Sequence, residues 1–353
     1  CTARVVPRDL SGPTMSCQNA SIILDGGGNA TLTTGDIDNG SSDVCGIDTM
    51  YLNISSFNCG HVGQVPVTLF AIDSNGNIGT CTDTVTIQDN VLPTASCQDA
   101  TVQLDITGNV TVNSSDVDNG SSDNCGLTSY AVSPNSFTCL EIGVNAYTLT
   151  VNDAASNSAT CGGNITVADT LAPTAVCQDF TTQLDATGNG TISTTQVDNG
   201  STDACGIASY VAAPAAYTCA NVGVSTVSLT VQDNNGNSSV CTALCTVADT
   251  VLPATVCQDF TVALDVTGNA TIATSDIDNG STDACGIDTM FVTPSTVTCA
   301  NVGVVAGVLT VIDVNGNSET CNTNITVQDT QAPAAVCQDA TVQLDATGNL
   351  TIA

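Results

Sequence analysis

Basic residues are almost absent from this chain. Its 353 residues include only two Lys plus Arg, which are Arg4 and Arg8, against 34 Asp plus Glu, and the formal net charge is −32. Phosphate backbones and anionic lipid headgroups are bound mainly by Lys and Arg side chains. The composition therefore argues against nucleic-acid binding and membrane-surface binding. Cations are the natural partners of so many carboxylates, and Ca²⁺ is the predicted cofactor because it prefers oxygen ligands.

Catalytic and stacking groups are scarce as well. Trp is absent, aromatic residues make up 3% of the chain, and the single histidine is His61. General acid–base catalysis needs a positioned titratable group, and stacking on sugars or bases needs aromatic faces. The sequence therefore predicts a protein that is not an enzyme. Specific ligand recognition is expected to lie in another part of the parent protein.

Long apolar runs are also missing, whereas cysteine is abundant. No run approaches the roughly 18 residues that span a bilayer, and the first residues show no signal-peptide pattern. We expect any secretion signal or anchor to lie outside this segment. The chain has 19 cysteines, a number typical of an oxidising exterior and unsuited to a reducing cytosol. The predicted location is therefore extracellular.

The cysteines recur with a period of 80 residues. Four series share it: Cys17, Cys97, Cys177, Cys257 and Cys337; Cys45, Cys125, Cys205 and Cys285; Cys59, Cys139, Cys219 and Cys299; and Cys1, Cys81, Cys161, Cys241 and Cys321. A fixed period indicates a repeat array, and this length suits a small domain. The predicted repeats are residues 17–96, 97–176, 177–256 and 257–336. Residues 1–16 are predicted to end a preceding repeat, and 337–353 to begin a following one.

Alternation of apolar and polar residues within each repeat predicts strands. Residues 147–152 alternate with period two. Segment 101–113 predicts a hairpin of two strands joined by a tight Gly-Asn turn, and segment 148–169 predicts another hairpin. Six or seven short strands and no helical periodicity indicate an immunoglobulin-like sandwich. The predicted fold is an all-β tandem array of β-sandwich domains of about 80 residues, stapled by disulfides. Proline-containing linkers end the repeats at Asp89–Pro93, Asp169–Pro173, Asp249–Pro253 and Asp329–Pro333.

Four cysteines per repeat allow three disulfide connectivities. The geometry of a sandwich favours the first cysteine with the fourth and the second with the third; the rival is the fourth with the next repeat's first, as in Cys81 with Cys97. The expected bonds are Cys17–Cys81, Cys45–Cys59, Cys97–Cys161, Cys125–Cys139, Cys177–Cys241, Cys205–Cys219, Cys257–Cys321 and Cys285–Cys299. Cys245 replaces an inward-facing apolar residue and is predicted to be a buried free thiol; the alternative is a reactive or intermolecular cysteine.

The most repeated acidic element has the pattern D-[IV]-D-N-G-S-x-D. Clustered carboxylates on a short loop repel one another unless a cation lies between them, so the pattern predicts Ca²⁺. The alternative is a solvated loop in which Asp and Asn cap turns. The predicted ligands are Asp36, Asp38, Asn39, Asp43, Asp116, Asp118, Asn119, Asp123, Asp198, Asn199, Asp203, Asp276, Asp278, Asn279 and Asp283. Gln196 replaces the first aspartate in the third repeat, so that site is expected to be the weakest.

Two further acidic elements recur. The pattern D-x-N-G-N occurs at Asp73, Asp233 and Asp313 and is reduced to Asp153 and Asn157 in the second repeat. It predicts a plain hairpin turn between the last two strands; the alternative is a further ion site. The linker acids form a second hypothesis, an interdomain cation clamp. Its candidates are Asp89, Asp169, Asp249 and Asp329, with Asp99, Asp179, Asp259 and Asp339 just beyond them.

The repeat unit, from P-T-A-x-C-Q-D-x-T-V-x-L-D-x-T-G-N to D-x-x-G-N-S-x-T-C, resembles repeats of giant cell-surface adhesins of Bacteroidota, of the gliding-motility type. It is also similar to hyalin-type immunoglobulin-like modules, which share the opening cysteine and the closing pattern seen at Asp313–Cys321. The resemblance implies type IX secretion, the outer surface of a Gram-negative bacterium and a filamentous shape. It also implies O-glycans at D-[ST]-[AILVM] patterns, with candidates Thr49, Thr84, Thr170, Thr250 and Thr289.

The predicted function is that of a non-catalytic stalk or fibre segment of a large extracellular adhesin, which mediates surface attachment or motility. Its predicted partners are the neighbouring repeats of the same chain. One alternative is a subunit that self-associates into an extracellular filament. A second alternative is a carbohydrate-binding module with surface polysaccharide as its partner.

Overall fold

The computed structural model describes residues 2, 4, 6–344 and 346–349. Cys1 and residues 350–353, which the sequence places in flanking repeats, lie outside the described residues. The chain folds as two compact units: residues 1–173 with 203–207 and 233–237, and residues 174–202 with 208–232 and 238–353. In the described part of the chain, no helix is long and apolar enough to cross a membrane.

Each of the four repeats contains six strands. In the first repeat these are β1 (Ala20–Ile23), β2 (Asn29–Thr31), β3 (Ile47–Leu52), β4 (Ser56–Asn58), β5 (Gly63–Asp73) and β6 (Ile78–Gln88). The second repeat has β7 (Ala100–Gln103), β8 (Asn109–Thr111), β9 (Leu127–Ser133), β10 (Ser136–Thr138), β11 (Gly143–Asp153) and β12 (Ser158–Ala168).

The third and fourth repeats follow the same order. The third has β13 (Phe180–Gln183), β14 (Asn189–Thr191), β15 (Ile207–Ala213), β16 (Ala216–Thr218), β17 (Gly223–Asp233) and β18 (Ser238–Ala248). The fourth has β19 (Phe260–Ala263), β20 (Asn269–Thr271), β21 (Ile287–Thr293), β22 (Thr296–Thr298), β23 (Gly303–Asp313) and β24 (Ser318–Gln328).

Two kinds of single-turn helix interrupt the strands, and the sequence predicted neither. The α-helices are α1 (Thr34–Ile37), α2 (Ser114–Val117), α3 (Thr194–Val197) and α4 (Thr274–Ile277). The 3₁₀ helices are Cys59–His61, Cys139–Glu141, Cys219–Asn221 and Cys299–Asn301. One turn is too short to show helical periodicity, which explains why the pattern of apolar residues did not reveal them.

The predicted all-β fold is confirmed. In the second repeat a four-stranded sheet has the order β7-β12-β11-β9, and a two-stranded sheet pairs β8 with β10. The opening strand β7 lies parallel to the closing strand β12, whereas β11 pairs antiparallel with both β12 and β9. The same strand order recurs in the other three repeats.

The two predicted hairpins have different outcomes. Strands β11 and β12 form the predicted hairpin over segment 148–169. The prediction for segment 101–113 is wrong in part, because β7 and β8 are not paired with each other and belong to different sheets. The turn between them is tight, with a hydrogen bond from Gly108 N to Asp105 O of 2.9 Å, but it carries the chain from one sheet to the other.

The alternating side chains of the long strands fill one core per repeat. Leu149 and Val151 of β11 and Ile165 of β12 are completely buried, and Phe137 packs with them. Cys245 of β18 occupies the position of Ile165 one repeat later, is equally buried and is free. The prediction of a buried thiol at this position is therefore confirmed.

One series of disulfides lies within the repeats. These bonds join the first cysteine to the fourth: Cys17–Cys81, Cys97–Cys161, Cys177–Cys241 and Cys257–Cys321, with Cα–Cα distances of 5.7–6.0 Å. The first cysteine precedes the opening strand and the fourth lies in the closing strand. Because those two strands are parallel neighbours, each bond joins the start of the edge strand to the strand beside it.

The second series joins successive repeats, and here the expected pairing is wrong. The third cysteine of each repeat bonds to the second cysteine of the next: Cys59–Cys125, Cys139–Cys205 and Cys219–Cys285. The expected bonds Cys45–Cys59, Cys125–Cys139, Cys205–Cys219 and Cys285–Cys299 are therefore absent from the described residues. Cys45 and Cys299 are free, and so is Cys337.

The length of the closing strand explains why the second and third cysteines of one repeat do not meet. Cys125 follows Asp123, which lies beside the hairpin turn where β12 begins. The sulfur of Cys139 lies 3.7 Å from Gly108 O, in the turn that follows β7, near the end of β12. The eleven residues of β12 span about 36 Å at about 3.3 Å per residue. A disulfide needs Cα atoms within about 7 Å, so these cysteines cannot bond.

Thiol mapping checks the connectivity between repeats. We expect Cys139→Ser to expose a new thiol at Cys205, in the next repeat, because these two residues are bonded. The measurement is alkylation of the oxidised protein followed by Asp-specific proteolysis and mass spectrometry, since the chain has no Lys for trypsin. A new thiol at Cys125 instead would contradict this prediction and would support a bond between Cys125 and Cys139 within one repeat. As a control, Cys161→Ser should expose Cys97.

Candidate cation site at the repeat junctions

The first aspartate of each D-[IV]-D-N-G loop caps a helix. Asp36 Oδ2 accepts hydrogen bonds from Thr33 N at 2.7 Å and Thr33 Oγ1 at 2.6 Å, which forms a capping box at the start of α1. The Thr33 hydroxyl lowers the pKa of Asp36. Gln196 Oε1 accepts from Ser193 N at 2.8 Å in the same way. Replacement of aspartate by Gln196 therefore preserves the cap, and it does not single out the third loop as a weakened ion site.

The second aspartate closes a turn within the loop, and the residue that follows it holds the loop against the chain just ahead of the repeat's first strand. Asp38 Oδ1 accepts from Ser41 N at 2.9 Å, and Asp118, Asp198 and Asp278 make the equivalent bond to Ser121, Ser201 and Ser281. Asn39 N donates to Ser16 O at 2.8 Å, and Ile37 between the two acids is completely buried. These residues fix the loop to the chain ahead of β1.

The structure does not bring the predicted loop residues together as one ligand set. Four groups in the described part of the chain place at least three potential metal-ligand atoms within 4.8 Å of one another: Asp9, Asp43 and Cys45; Asp89, Asp123 and Asp153; Asp169, Asp203 and Cys205; and Asp249, Asp283 and Cys285. Each group takes only the last aspartate of the loop and adds a linker aspartate. Three of the groups each contain one residue of the linker hypothesis, Asp89, Asp169 or Asp249, whereas Asp9 of the remaining group was not among its candidates.

The group formed by Asp89, Asp123 and Asp153 consists entirely of carboxylates. Asp89 follows the last strand of the first repeat, Asp123 ends the acidic loop of the second repeat, and Asp153 begins the turn between β11 and β12. Asp89 is 4% exposed and Asp153 is 3% exposed. Two unit charges about 4 Å apart repel by about 4 kcal/mol at an effective dielectric constant of about 20. The group is therefore costly unless a cation offsets it.

Two oxygens in this group, and one on the residue that follows Asp123, have no hydrogen-bond donor. Asp89 Oδ2, Asp123 Oδ1 and Asn124 Oδ1 are shielded from solvent and unpaired. The other oxygen of Asp89 accepts from Val91 N at 3.2 Å and from Asn124 Nδ2 at 3.3 Å. Buried polar atoms almost always have partners, so the orphan acceptors of Asp89 and Asp123, which belong to one group, need an explanation. Because no Lys or Arg follows Arg8 in the sequence, a basic side chain from later in the chain cannot supply it.

The turn predicted as a plain hairpin also ties adjacent repeats together. Asn157 donates from its backbone N to Asp153 Oδ1 and from Nδ2 to Asp153 Oδ2, both at 2.7 Å. The same Nδ2 donates to the linker carbonyl Asp89 O at 3.0 Å. Equivalent bonds join Asn77 to Asp9 O, Asn237 to Asp169 O and Asn317 to Asp249 O, at 3.2–3.3 Å. The turn therefore positions its buried aspartate at the junction.

The remaining groups contain a cysteine sulfur in place of a third carboxylate. Cys205 and Cys285 are disulfide-bonded, so their sulfurs are not thiolates. Cys45 is a free thiol whose pKa is raised, chiefly by its hydrogen bond to Asp9. Soft metals bind thiolates, whereas hard cations bind carboxylates. The junctions therefore offer oxygen ligands suited to a hard cation.

Other predicted site residues lie away from these groups. Asp99, Asp179 and Asp259 accept backbone hydrogen bonds from the closing strands of their own repeats, at 2.7–2.8 Å. Asp329 and Asp339 are exposed. Of the candidate glycosylation residues, Thr49, Thr170, Thr250 and Thr289 are exposed and Thr84 is half-buried. Glycosylation of these residues remains a prediction.

The turn after each opening strand supports the disulfide between repeats. Gly108 has φ +75°, and a Cβ on it would lie 2.7 Å from the sulfur of Cys139 and 3.3 Å from Ala204 Cβ in the next repeat. Only glycine combines this positive φ with so close an approach. Asp105 Oδ1 holds the turn by accepting from Thr107 Oγ1 at 2.6 Å and Thr107 N at 2.8 Å.

Comparisons with known proteins give only remote likenesses. No family model and no curated protein matches the chain. Among solved structures, cadherin domains 1–4 of protocadherin gamma B7 are 13% identical over 76% of this chain and 84% of that one, with a TM-score of 0.28. Drosophila N-cadherin EC1–4 is 10% identical over 89% and 99%, with a TM-score of 0.27. The insect immune protein hemolin is 10% identical over 90% and 100%, with a TM-score of 0.25.

The turn aspartates predict a loss of stability in acid. The Thr107 hydroxyl lowers the pKa of Asp105, and Thr267 does the same for Asp265. A lowered pKa in the folded state means that the stabilisation is complete above the ordinary aspartate pKa of about 3.9 and is lost as pH falls below it. We expect the double variant Asp105→Asn, Asp265→Asn to lose less stability than the parent protein between about pH 6 and pH 3.

Urea unfolding of the oxidised protein across this pH range measures the effect. Asparagine keeps an acceptor oxygen for the threonine, so the variant should remain folded. The matched control is Asp48→Asn with Asp288→Asn, which removes two exposed carboxylates from β3 and β21. Equal pH slopes for the turn variant and the parent protein would contradict the prediction.

Proposed function

We propose that this chain is a structural repeat region of a large extracellular adhesin, which carries mechanical tension between other parts of the parent protein. The observation that supports this proposal most strongly is the disulfide between successive repeats. Each junction has two covalent connections, the linker and a bond such as Cys59–Cys125. Two repeats joined by two covalent connections can move less relative to each other than two repeats joined by a linker alone.

The two disulfide series close overlapping loops along the chain. The loop 17–81 overlaps 59–125, which overlaps 97–161, and this pattern continues to Cys321. Tension that enters at one end therefore has a covalent path that bypasses most of every repeat. Unfolding of a repeat would lengthen the chain only by the short segments between bonds, such as 82–96.

The seven disulfides among the described residues also support an extracellular location. Cytosolic reductants keep thiols reduced, whereas secreted proteins retain structural disulfides. The finer parts of the proposal rest on the sequence resemblance. They are attachment or gliding motility as the role, the outer surface of a Gram-negative bacterium as the location, and O-glycans as the modification.

Ca²⁺ is the cofactor that we propose for this region. The acidic groups at the junctions present mainly carboxylate oxygens, and hard oxygen ligands suit this ion. The proposed partners are the neighbouring repeats, to which each repeat is covalently bonded. A cation at a junction would add to the disulfide and the linker as a further constraint between repeats.

Force spectroscopy on the chain tests the proposed role. In the oxidised protein we expect each repeat to extend by at most about 50 Å, the reach of segment 82–96 at about 3.4 Å per residue. After reduction, each repeat should add steps that approach about 270 Å, because its whole length of about 80 residues becomes free. Long steps in the oxidised protein would overturn the proposal.

Two variants show what the bonds within repeats contribute once the bonds between repeats are removed. Cys59→Ser, Cys139→Ser and Cys219→Ser together remove only the bonds between repeats. Because the bonds within repeats still bypass each domain, this variant should also extend only by short steps. Further removal of Cys17, Cys97, Cys177 and Cys257 should restore the long steps without any reductant.

A further inference from the structure

We propose that Asp89, Asp123 and Asp153 bind one Ca²⁺ ion at the junction between the first two repeats. The site deepens the proposed function by naming the residues that would hold its cation. The three carboxylates come from three separate parts of the chain, yet each offers an oxygen within 4.8 Å of the others. An ion bound there would connect the end of one repeat to two loops of the next.

The unpaired oxygens are the independent observation that points to a ligand. Asp89 is 4% exposed, and its Oδ2 has neither a donor nor access to solvent. Asp123 Oδ1 and Asn124 Oδ1 are in the same condition. Two shielded carboxylate oxygens without donors, on two members of the group, match a cation that binds oxygen ligands.

Asp153 can contribute although both of its oxygens already accept hydrogen bonds. Each carboxylate oxygen has two lone pairs, and the bonds from Asn157 use one on each oxygen. The amide of Asn157 thus orients the carboxylate and leaves capacity for an ion. Asn157 also donates to Asp89 O, so one side chain positions two of the three proposed ligands.

The burial of the group favours Ca²⁺ over Mg²⁺. The oxygens lie within 4.8 Å of one another, which is compatible with Ca²⁺ contacts of about 2.3–2.6 Å. Mg²⁺ needs contacts of about 2.1 Å and usually keeps several waters. The shielded oxygens of Asp89 and Asp123 leave little room for such waters.

The equivalent residues extend the proposal along the array. Asp169 Oδ2 and Asp249 Oδ2 are also shielded and unpaired, and they lie with Asp203 and Asp283 in the next two junctions. Asn237 and Asn317 make the same bonds there as Asn157. The first junction has the most complete oxygen set and is therefore the one to test.

Calcium titration calorimetry of the full oxidised chain tests the site. The protein is treated with EDTA, dialysed free of chelator, and titrated with CaCl₂ at about 150 mM NaCl to screen diffuse binding. We expect Asp89→Asn and Asp123→Asn each to weaken one site by about tenfold or more, since each removes a ligand. Asp116→Asn is the matched control, because it removes a carboxylate from the same loop but outside the group.

Thermal unfolding provides a second readout. Ca²⁺ should raise the unfolding temperature of the parent protein and of Asp116→Asn more than that of Asp89→Asn. Identical titrations for the parent protein, Asp89→Asn and Asp123→Asn would overturn the site. Weaker binding in Asp116→Asn alone would also overturn the site, because it would place the ion in the acidic loop. Tighter binding of Mg²⁺ than of Ca²⁺ would overturn it as well. Any of these results would leave the force measurements on the disulfides unaffected, so the two proposals can fail separately.

Discussion

The disulfide between the third cysteine of one repeat and the second cysteine of the next is the constraint on which the junctions depend. It closes a loop with a sequence separation of 66, which contributes about 4 kcal/mol in the loop-entropy model. The expected bond between Cys125 and Cys139 would close a much shorter loop and contribute about 3 kcal/mol. The observed pairing therefore restricts the unfolded chain more, and it also fixes the end of one domain to the start of another.

This covalent constraint explains the close approach of polar groups around it. The turn at Gly108 lies against the sulfur of Cys139, and Ala204 of the following repeat packs on the same turn. In the first junction, Cys125 is bonded to Cys59 while Asp123, two residues earlier, lies beside Asp89. A bond that holds the chain at this point also limits how far the carboxylates can separate. The repulsion between them therefore remains unless an ion offsets it.

Much of the fold could be predicted from the sequence because its signals are local. Alternation in segment 147–152 identified a long half-buried strand. Cys245 was identified as a core residue because it occupies a repeat position that is apolar in the other repeats. The pairing of Cys59 could not be obtained in this way. Because the cysteines recur with a fixed period, the third cysteine of a repeat has a possible partner both in its own repeat and in the next. Composition does not distinguish these two partners. The distinction depends on the length of the closing strand, which separates the two ends of a domain.

The acidic loops show the same limit for the cation site. Asp116 and Asp123 are equally acidic in the sequence, yet Asp116 accepts from Asn113 N at 2.8 Å as a helix cap, whereas Asp123 retains a shielded oxygen without a donor. In a chain almost without basic residues, a carboxylate can be stabilised by nearby N–H and O–H donors or by a cation from solution. Most aspartates discussed above have such donors within their own loop. The junction carboxylates meet across repeats, where donors are too few, and this shortage is the reason for proposing an external cation at the junction.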